Sequence, residues 1–212
     1  MSTFAAKASD TKTDALWCPT GHSHDGIATR TLGFWLYMLS DAMIFTALFA
    51  AYVVLDHTFN AAGGPTIGDV SHPLYAYGET VLIFSSVLAY GFAMMALKRG
   101  NQTGVIAGIG AALLIGVLFL FADAHEIALL FSQGATPERS GFLSAFFALV
   151  FYHALHVVVG VFWMLIMLVQ VAYAGFTDKV VYRLLNLRLF WHFQAVIWVF
   201  MFTFLYLRGL IV

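Results

Sequence analysis

The stretch LGFWLYMLSDAMIFTALFAAYVVL, from Leu32 to Leu55, runs for 24 residues without a lysine or an arginine. A bilayer core needs about 20 mostly apolar residues in one helix, so this stretch predicts a membrane-spanning helix. Asp41 lies nine residues past Leu32, about 14 Å along a helix and close to the predicted midplane. Because an ionised carboxylate facing lipid is unfavourable, we expect Asp41 to be protonated or to face protein, a lipid headgroup or water.

The composition of the whole chain also indicates a membrane protein. Of its 212 residues, 61% are hydrophobic and only 10% are charged, which is more apolar than a soluble core requires. The formal net charge of −1 gives no indication of a nucleic-acid partner. The single cysteine, Cys18, excludes an internal disulfide and any two-cysteine copper or iron–sulfur site.

Five apolar runs predict an all-α, polytopic membrane protein built as a bundle of five transmembrane helices. The predicted spans are residues 32–55, 78–97, 104–131, 142–174 and 189–207. Residues 31–212 then form one five-helix membrane domain, and residues 1–30 form a flexible polar tail. Since that tail lacks the apolar run of a signal peptide, we expect the first span to remain in the mature protein. We interpret His22 and His24 as part of this disordered tail rather than as a metal site.

The positions of the basic residues predict how the bundle lies in the membrane, because positively charged loops tend to stay in the cytoplasm. Only two of the ten, Arg139 and Arg208, lie on one side of the predicted bundle. The N-terminus is therefore expected in the cytoplasm and the C-terminus in the periplasm. The eight on the cytoplasmic side are Lys7, Lys12, Arg30, Lys98, Arg99, Lys179, Arg183 and Arg188.

Small residues repeat every fourth position along the third span. Gly104, Gly108, Ala112 and Gly116 would form one stripe on a helix, along which a second backbone can approach closely. This pattern predicts helix packing and no chemistry.

Acidic residues inside the spans each allow two interpretations. Asp41 is either a proton-relay or interface carboxylate, or a neutral acid hydrogen-bonded to a neighbour. Asp123 and Glu126 lie one turn apart beside His125, near the predicted outer surface. This group is interpreted as meeting water, with a metal site as the alternative.

The histidines of the fourth and fifth spans raise the question of haem or copper ligation. His153 and His156 share a helix face, and His192 falls at a similar predicted depth to His156. The alternative interpretation is buried, hydrogen-bonding histidines. Trp191 begins the fifth span, where we expect it to anchor the helix in the interfacial aromatic belt and to pack.

Four separated motifs carry a resemblance to a known family. They are LSDAMIFTALFAAY, ETVLIFSSVLAYGFAMMALKRG, RSGFLSAFFALV followed by HALHVVVG, and WHFQAVIWVFMFTFLYLRG. In this order, over about residues 30–209, the chain resembles subunit III of the haem–copper respiratory oxidases, specifically the five-helix form found in bacterial bo-type ubiquinol oxidases. It departs from the family pattern at Ala154, where a glycine is usual, and at Ala195, where an aspartate is usual.

The resemblance implies a supporting role in a larger enzyme. Such a complex oxidises ubiquinol, reduces oxygen to water and pumps protons across the bacterial inner membrane, with haem and copper in subunit I. This chain would hold no redox centre; it would stabilise subunit I, bind phospholipids between its helices and support proton uptake, beside subunits I, II and IV. The residues we expect at interfaces, lipid contacts or proton-supporting positions are Asp41, Glu79, Glu126, His153, His156, Trp191 and His192.

Three other functions stay open at this point. The same subunit occurs in cytochrome c oxidases, so the electron donor is not fixed. A membrane cytochrome b would use His156 and His192 as haem ligands. A solute transporter would use Asp41, Asp123 and Glu126 as a relay, although the chain has no internal repeat of the kind that transporters often show.

Overall fold

The computed structural model describes residues 24–56 and 73–207, with side chains described from Thr31 onward. Within these ranges the regular structure is entirely helical, and five of the helices are long and apolar enough to cross a membrane. The predicted all-α membrane bundle is therefore confirmed. The long helices are α1 (His24–Leu55), α2 (Pro73–Lys98), α3 (Gln102–Ser132), α4 (Gly141–Ala174) and α5 (Asp178–Met201). A 3₁₀ helix, Pro137–Arg139, precedes α4, and α5 continues as a π-helix, Phe202–Leu207.

Most helices extend beyond the predicted spans at their N-terminal ends. α1 begins at His24, so residues 24–30 of the predicted tail are helical, while residues 1–23, with His22, lie outside the described residues. α2 begins at Pro73, whose fixed φ suits the first turn of a helix. Side chains cap the next two helices, because Asn101 accepts from the Gly104 amide and Ser140 accepts from the Leu143 amide.

The fifth long helix, α5, begins at Asp178, eleven residues before residue 189, the predicted start of the fifth span. The Thr177 hydroxyl accepts a hydrogen bond from the Val180 amide and caps this start. The first three turns carry Lys179, Arg183 and Arg188, all exposed, so this part of α5 has no long uncharged run. Their other face is apolar and buried, through Val180, Val181, Leu184 and Leu187.

α4 is the central helix of the bundle and packs against α1, α3 and α5. α5 also contacts α1 and α2, and the most extensive pairing joins α2 to α3. α1 is the least enclosed of the five, with 22% of its most apolar window buried, and it packs mainly against α4. Polar side chains on α1, α4 and α5 can therefore meet inside the bundle.

The glycine stripe of α3 packs closely on another helix at Gly104 and Gly108, as the sequence predicts, and that helix is α2. A Cβ atom built on Gly108 would lie 2.7 Å from the Ala93 Cβ and 2.8 Å from the Ala93 Cα and N atoms. A Cβ atom on Gly104 would lie 2.8 Å from the Ala96 Cβ. Backbone atoms cannot move aside as a flexible side chain can, so this contact requires glycine.

Replacing Gly108 with alanine should destabilise the chain by about 1–3 kcal/mol, because the new methyl group would force α2 and α3 apart. The free energy of unfolding in mixed micelles measures this loss. Gly110→Ala is the matched control, since a Cβ atom at Gly110 would meet no atom within 4 Å. Equal stability of the two variants would contradict the close contact.

Candidate functional site

Asp41 is buried inside the chain, with 4% of its surface exposed, and its partners come from α4. The Tyr152 hydroxyl donates to Asp41 Oδ1 over 2.9 Å, and His156 Nε2 lies 3.1 Å from the same oxygen. The Phe45 ring covers the group, with its centroid 4.9 Å from that of Tyr152 and 5.5 Å from that of His156. We call Asp41, Tyr152 and His156 the Asp41 site; it joins α1 to α4.

The ring nitrogens of His156 determine how many protons the Asp41 site holds. Nδ1 lies 2.7 Å from the backbone oxygen of Tyr152, which can only accept, so Nδ1 carries a proton and donates. The 3.1 Å contact between Nε2 and Asp41 requires one further proton, on either the imidazole or the carboxyl. In both arrangements the Asp41 and His156 pair has no net charge, which suits a position inside a membrane.

His153 lies in a different environment from His156, although the two share a helix. Its Nε2 donates to the backbone oxygen of Gln194 over 3.2 Å, and its ring packs against Trp198 and Phe119. Since a backbone oxygen only accepts, Nε2 must carry the proton. Both histidines are thus buried and hydrogen-bonded, as one of the two sequence interpretations had it.

The pairing of His156 with His192 as haem ligands is not supported by this geometry. Both ring nitrogens of His156 contact oxygen atoms of the chain itself. His192 is half-buried, and its Nδ1 donates to the Arg188 backbone oxygen over 2.8 Å. An axial haem ligand needs one ring nitrogen directed at the iron, and His156 has none available.

A second polar group lies between α2 and α3, toward the ends of the helices. The carboxylates of Glu79, Asp123 and Glu126 are buried and offer oxygen atoms that all lie within 4.8 Å of one another. We call these three residues the acid cluster. The interpretation of Asp123 and Glu126 as water-facing is wrong, because their exposed fractions are 3% and 2%. His125, between them in sequence, points elsewhere and meets the Tyr75 hydroxyl.

Reasoning from single residues missed that Glu79 joins Asp123 and Glu126, although the glycine stripe contained the signal. Gly108 packs on Ala93, and α2 and α3 run in opposite directions. Asp123 lies fifteen residues after Gly108, and Glu79 lies fourteen residues before Ala93. Extending the antiparallel contact along both helices therefore brings Glu79 opposite Asp123.

Two tyrosines and an open cavity border the acid cluster. The Tyr206 hydroxyl, from the π-helix, donates to Glu126 Oε2 over 2.8 Å. Tyr75 donates to the Ala122 backbone oxygen over 3.0 Å. The cavity has a volume of about 570 Å³ and is lined by Glu126, Tyr75, Leu74, Pro73, Leu129 and Gln133. Of the three acids, Glu126 borders this cavity.

Trp191 lies in the core and not in the interfacial aromatic belt, so the predicted anchoring role is wrong. The belt position followed from starting the helix at residue 189, whereas α5 begins thirteen residues before Trp191. The indole is fully buried over two glycines; a Cβ atom on Gly160 would lie 2.7 Å from its Cζ3 atom, and one on Gly116 would lie 3.2 Å from its Cη2 atom. Its Nε1 donates to the Ser86 hydroxyl over 3.0 Å. The packing part of the prediction is what the structure bears out.

The Asp41 site and the acid cluster are separate. No hydrogen bond or ion pair among residues 31–56 and 73–207 joins Asp41 to Asp123 or Glu126. The relay that a transporter would need has no such connection in this part of the chain. A second cavity, of about 410 Å³, lies between α3 and α4 and is lined mainly by apolar residues: Val117, Leu120, Phe121, Asp123, Ala124, Ile127, Ala154 and Val158.

Comparison with known proteins gives one consistent result. The family described as cytochrome c oxidase subunit III matches residues 14–210. The chain is 39% identical to the cytochrome bo(3) ubiquinol oxidase subunit 3 of Pseudomonas aeruginosa over 188 residues, which is 89% of each chain. It is 40% identical to the protein of the same name from Pseudomonas putida, over 89% of this chain and 90% of the relative. It is 32% identical to quinol oxidase subunit 3 of Bacillus subtilis, over 84% of this chain and 87% of the relative.

Proposed function

The chain belongs to the cytochrome c oxidase subunit III family, and from this premise we propose that it is subunit III of a proton-pumping ubiquinol oxidase in a bacterial inner membrane. The observation that carries the proposal is the end-to-end similarity to bo(3)-type relatives, which covers 89% of both chains. The five helices that are long and apolar enough to cross a membrane all lie within the matched residues 14–210.

In the proposed complex the chain carries no haem or copper, and oxygen is reduced in subunit I. The histidines that are candidates for ligation support this assignment, because His153 and His156 already contact oxygen atoms of the chain. We place subunits I, II and IV around it, with its N-terminus in the cytoplasm and its C-terminus in the periplasm. The distribution of lysine and arginine supports this orientation.

Lipid binding is the second proposed role. The apolar cavity between α3 and α4 offers about 410 Å³ on the membrane-facing side, where Ala154 leaves space that a larger residue would fill. A lipid chain fits such a site better than a polar ligand does, because the walls are almost wholly apolar. The chain would thereby stabilise subunit I and its lipids, and so sustain proton uptake during turnover.

The test is to tag the chain in its native membrane, extract it in mild detergent and identify the proteins that co-purify. We expect a large haem-bearing subunit and a second subunit in equal amounts with the chain. Oxygen uptake by this preparation should follow added ubiquinol. Uptake that follows reduced cytochrome c instead would assign the chain to a cytochrome c oxidase.

A chain that extracts without partners would contradict the proposal, and its colour would then identify the alternative. A red preparation with a Soret band would indicate a cytochrome. A colourless preparation of the chain alone would indicate that it holds no haem, and solute transport would be the next function to measure.

A further inference from the structure

We propose that the acid cluster binds one divalent cation, of the size of Ca²⁺, through the carboxylates of Glu79, Asp123 and Glu126. The site lies within a single chain and does not depend on the proposed function.

The acid cluster would carry a concentrated negative charge if its carboxyls were ionised. Three carboxylates with exposed fractions of 1–3% would carry three negative charges within 4.8 Å of one another. Among the described side chains, no lysine, arginine or histidine forms an ion pair with any of them. Buried like charges at this distance repel strongly, so the cluster needs either protons or a bound cation.

Glu79 is, independently, oriented toward the other two acids and has no hydrogen-bond partner among the described residues. Within the described residues neither of its carboxylate oxygens has a hydrogen-bond partner, although 99% of the residue is buried and the group faces the other two acids. The Oε1 atom of Glu126 also has no partner there. Buried polar atoms are satisfied in the large majority of cases. A cation would satisfy the oxygen atom that each of the three residues offers.

The chemistry of the ligands favours calcium. All three ligands are carboxylates, which hard cations prefer, and no sulfur or ring nitrogen joins them in the group. Magnesium is usually bound through one or two carboxylates and retains several waters, whereas calcium accepts several carboxylate oxygens in a flexible geometry. The oxygen atoms that the cluster offers lie within 4.8 Å of one another, so one ion can contact all three residues.

The cluster lies toward one end of its helices. α3 has 31 residues and spans about 46 Å, which is longer than a hydrocarbon core of about 30 Å. Glu126 lies six residues, or about 9 Å, before the end of this helix at Ser132. Glu126 also lines the open cavity of about 570 Å³, and we infer that a cation enters from this end of the bundle.

The experiment uses the tagged chain in whatever assembly it is extracted with. One calcium per chain, measured by elemental analysis, should disappear in Glu79→Gln and persist in Glu138→Gln, an exposed acid in the 3₁₀ helix. For the wild type, Ca²⁺ added after chelation should raise the unfolding midpoint by about 5 °C. Terbium(III), which replaces Ca²⁺ and is excited through nearby tyrosines such as Tyr206, should luminesce in the wild type and not in Glu79→Gln.

Two results would overturn the proposal. One is an unfolding midpoint of the wild type that responds neither to chelator nor to Ca²⁺. This measurement does not need the variant, so it tests the proposal even if Glu79→Gln fails to fold. The other is equal calcium content in the wild type and Glu79→Gln, with the variant as stable as the wild type or more so. That pattern would mean that shared protons neutralise the acids. Neither result bears on whether the chain co-purifies with an oxidase.

Discussion

Replacing Trp191 with alanine is expected to lower the free energy of unfolding by about 3 kcal/mol, the largest effect of any single truncation in the bundle. The range for tryptophan to alanine in a core is about 3–5 kcal/mol. The lower end applies here, because lipid is as apolar as the core and only packing and hydrogen bonding are lost. The cavity would open between Gly116 on α3 and Gly160 on α4, which have no side chains to fill it. Unfolding in mixed micelles, followed by circular dichroism, measures the change.

Two companion variants separate the causes of that loss. Trp35→Ala removes an indole that is 54% exposed on α1 and should change the free energy by no more than about 0.5 kcal/mol. Trp191→Phe retains most of the packing but loses the bond from Nε1 to Ser86, which should cost about 0.6 kcal/mol in a membrane. If truncating Trp35 and Trp191 destabilised the chain equally, the central position of Trp191 would be refuted.

Replacing Asp41 with leucine should have the second-largest effect, a loss of about 2 kcal/mol or more in the docking of α1 against α4. The variant leaves the Tyr152 hydroxyl and His156 Nε2 buried without their shared partner, and each such orphan costs about 1–3 kcal/mol. We expect less α1 docked in protease-protection assays, and a shorter lifetime of the assembly during turnover.

The design of the Asp41 experiment uses two opposing effects. Leucine at the centre of a membrane helix inserts more readily than aspartate by about 3 kcal/mol, so insertion itself should improve in Asp41→Leu. Weaker docking despite better insertion would therefore isolate the lost contact. Asp41→Asn keeps an oxygen acceptor and should retain most of the stability. In the Asp41→Leu background, Tyr152→Phe should cause little further loss, because the bond is already absent. Unaltered assembly, lipid content and lifetime in Asp41→Leu would show that the site is dispensable.

The sequence predicted the number of helices and their approximate positions because the thickness of the bilayer sets the length of an apolar run. It predicted that another helix approaches α3 closely, because the spacing of Gly104 and Gly108 is a local property of one helix, but it did not indicate that this helix is α2. The start of α5 could not be found in this way. Its first turns are amphipathic, and their burial depends on which neighbouring helix covers Val180 and Leu184.

For the polar sites, too, the sequence of one helix shows which residues need partners, whereas the packing of the helices determines which partners they have. The sequence indicated that Asp41 needed a polar partner, but the choice of Tyr152 and His156 depends on how α1 packs against α4. The burial of Asp123 and Glu126 depends on α2 and on the π-helix, from which Tyr206 reaches Glu126. Periodicity within one helix carries no information about these partners.

Asp41 and its partners are far apart in sequence, so they are synthesised at different times. Asp41 and Tyr152 lie 111 residues apart. At a synthesis rate of about 5–20 residues per second, roughly 6–22 s pass between the translation of Asp41 and that of its first partner. During this interval α1 has been synthesised and α4 has not, so the Asp41 carboxyl has neither of its two partners. The insertion machinery must therefore hold an unpaired acid in or near the membrane. Slow elongation between α1 and α4 would lengthen the period in which Asp41 is unpaired.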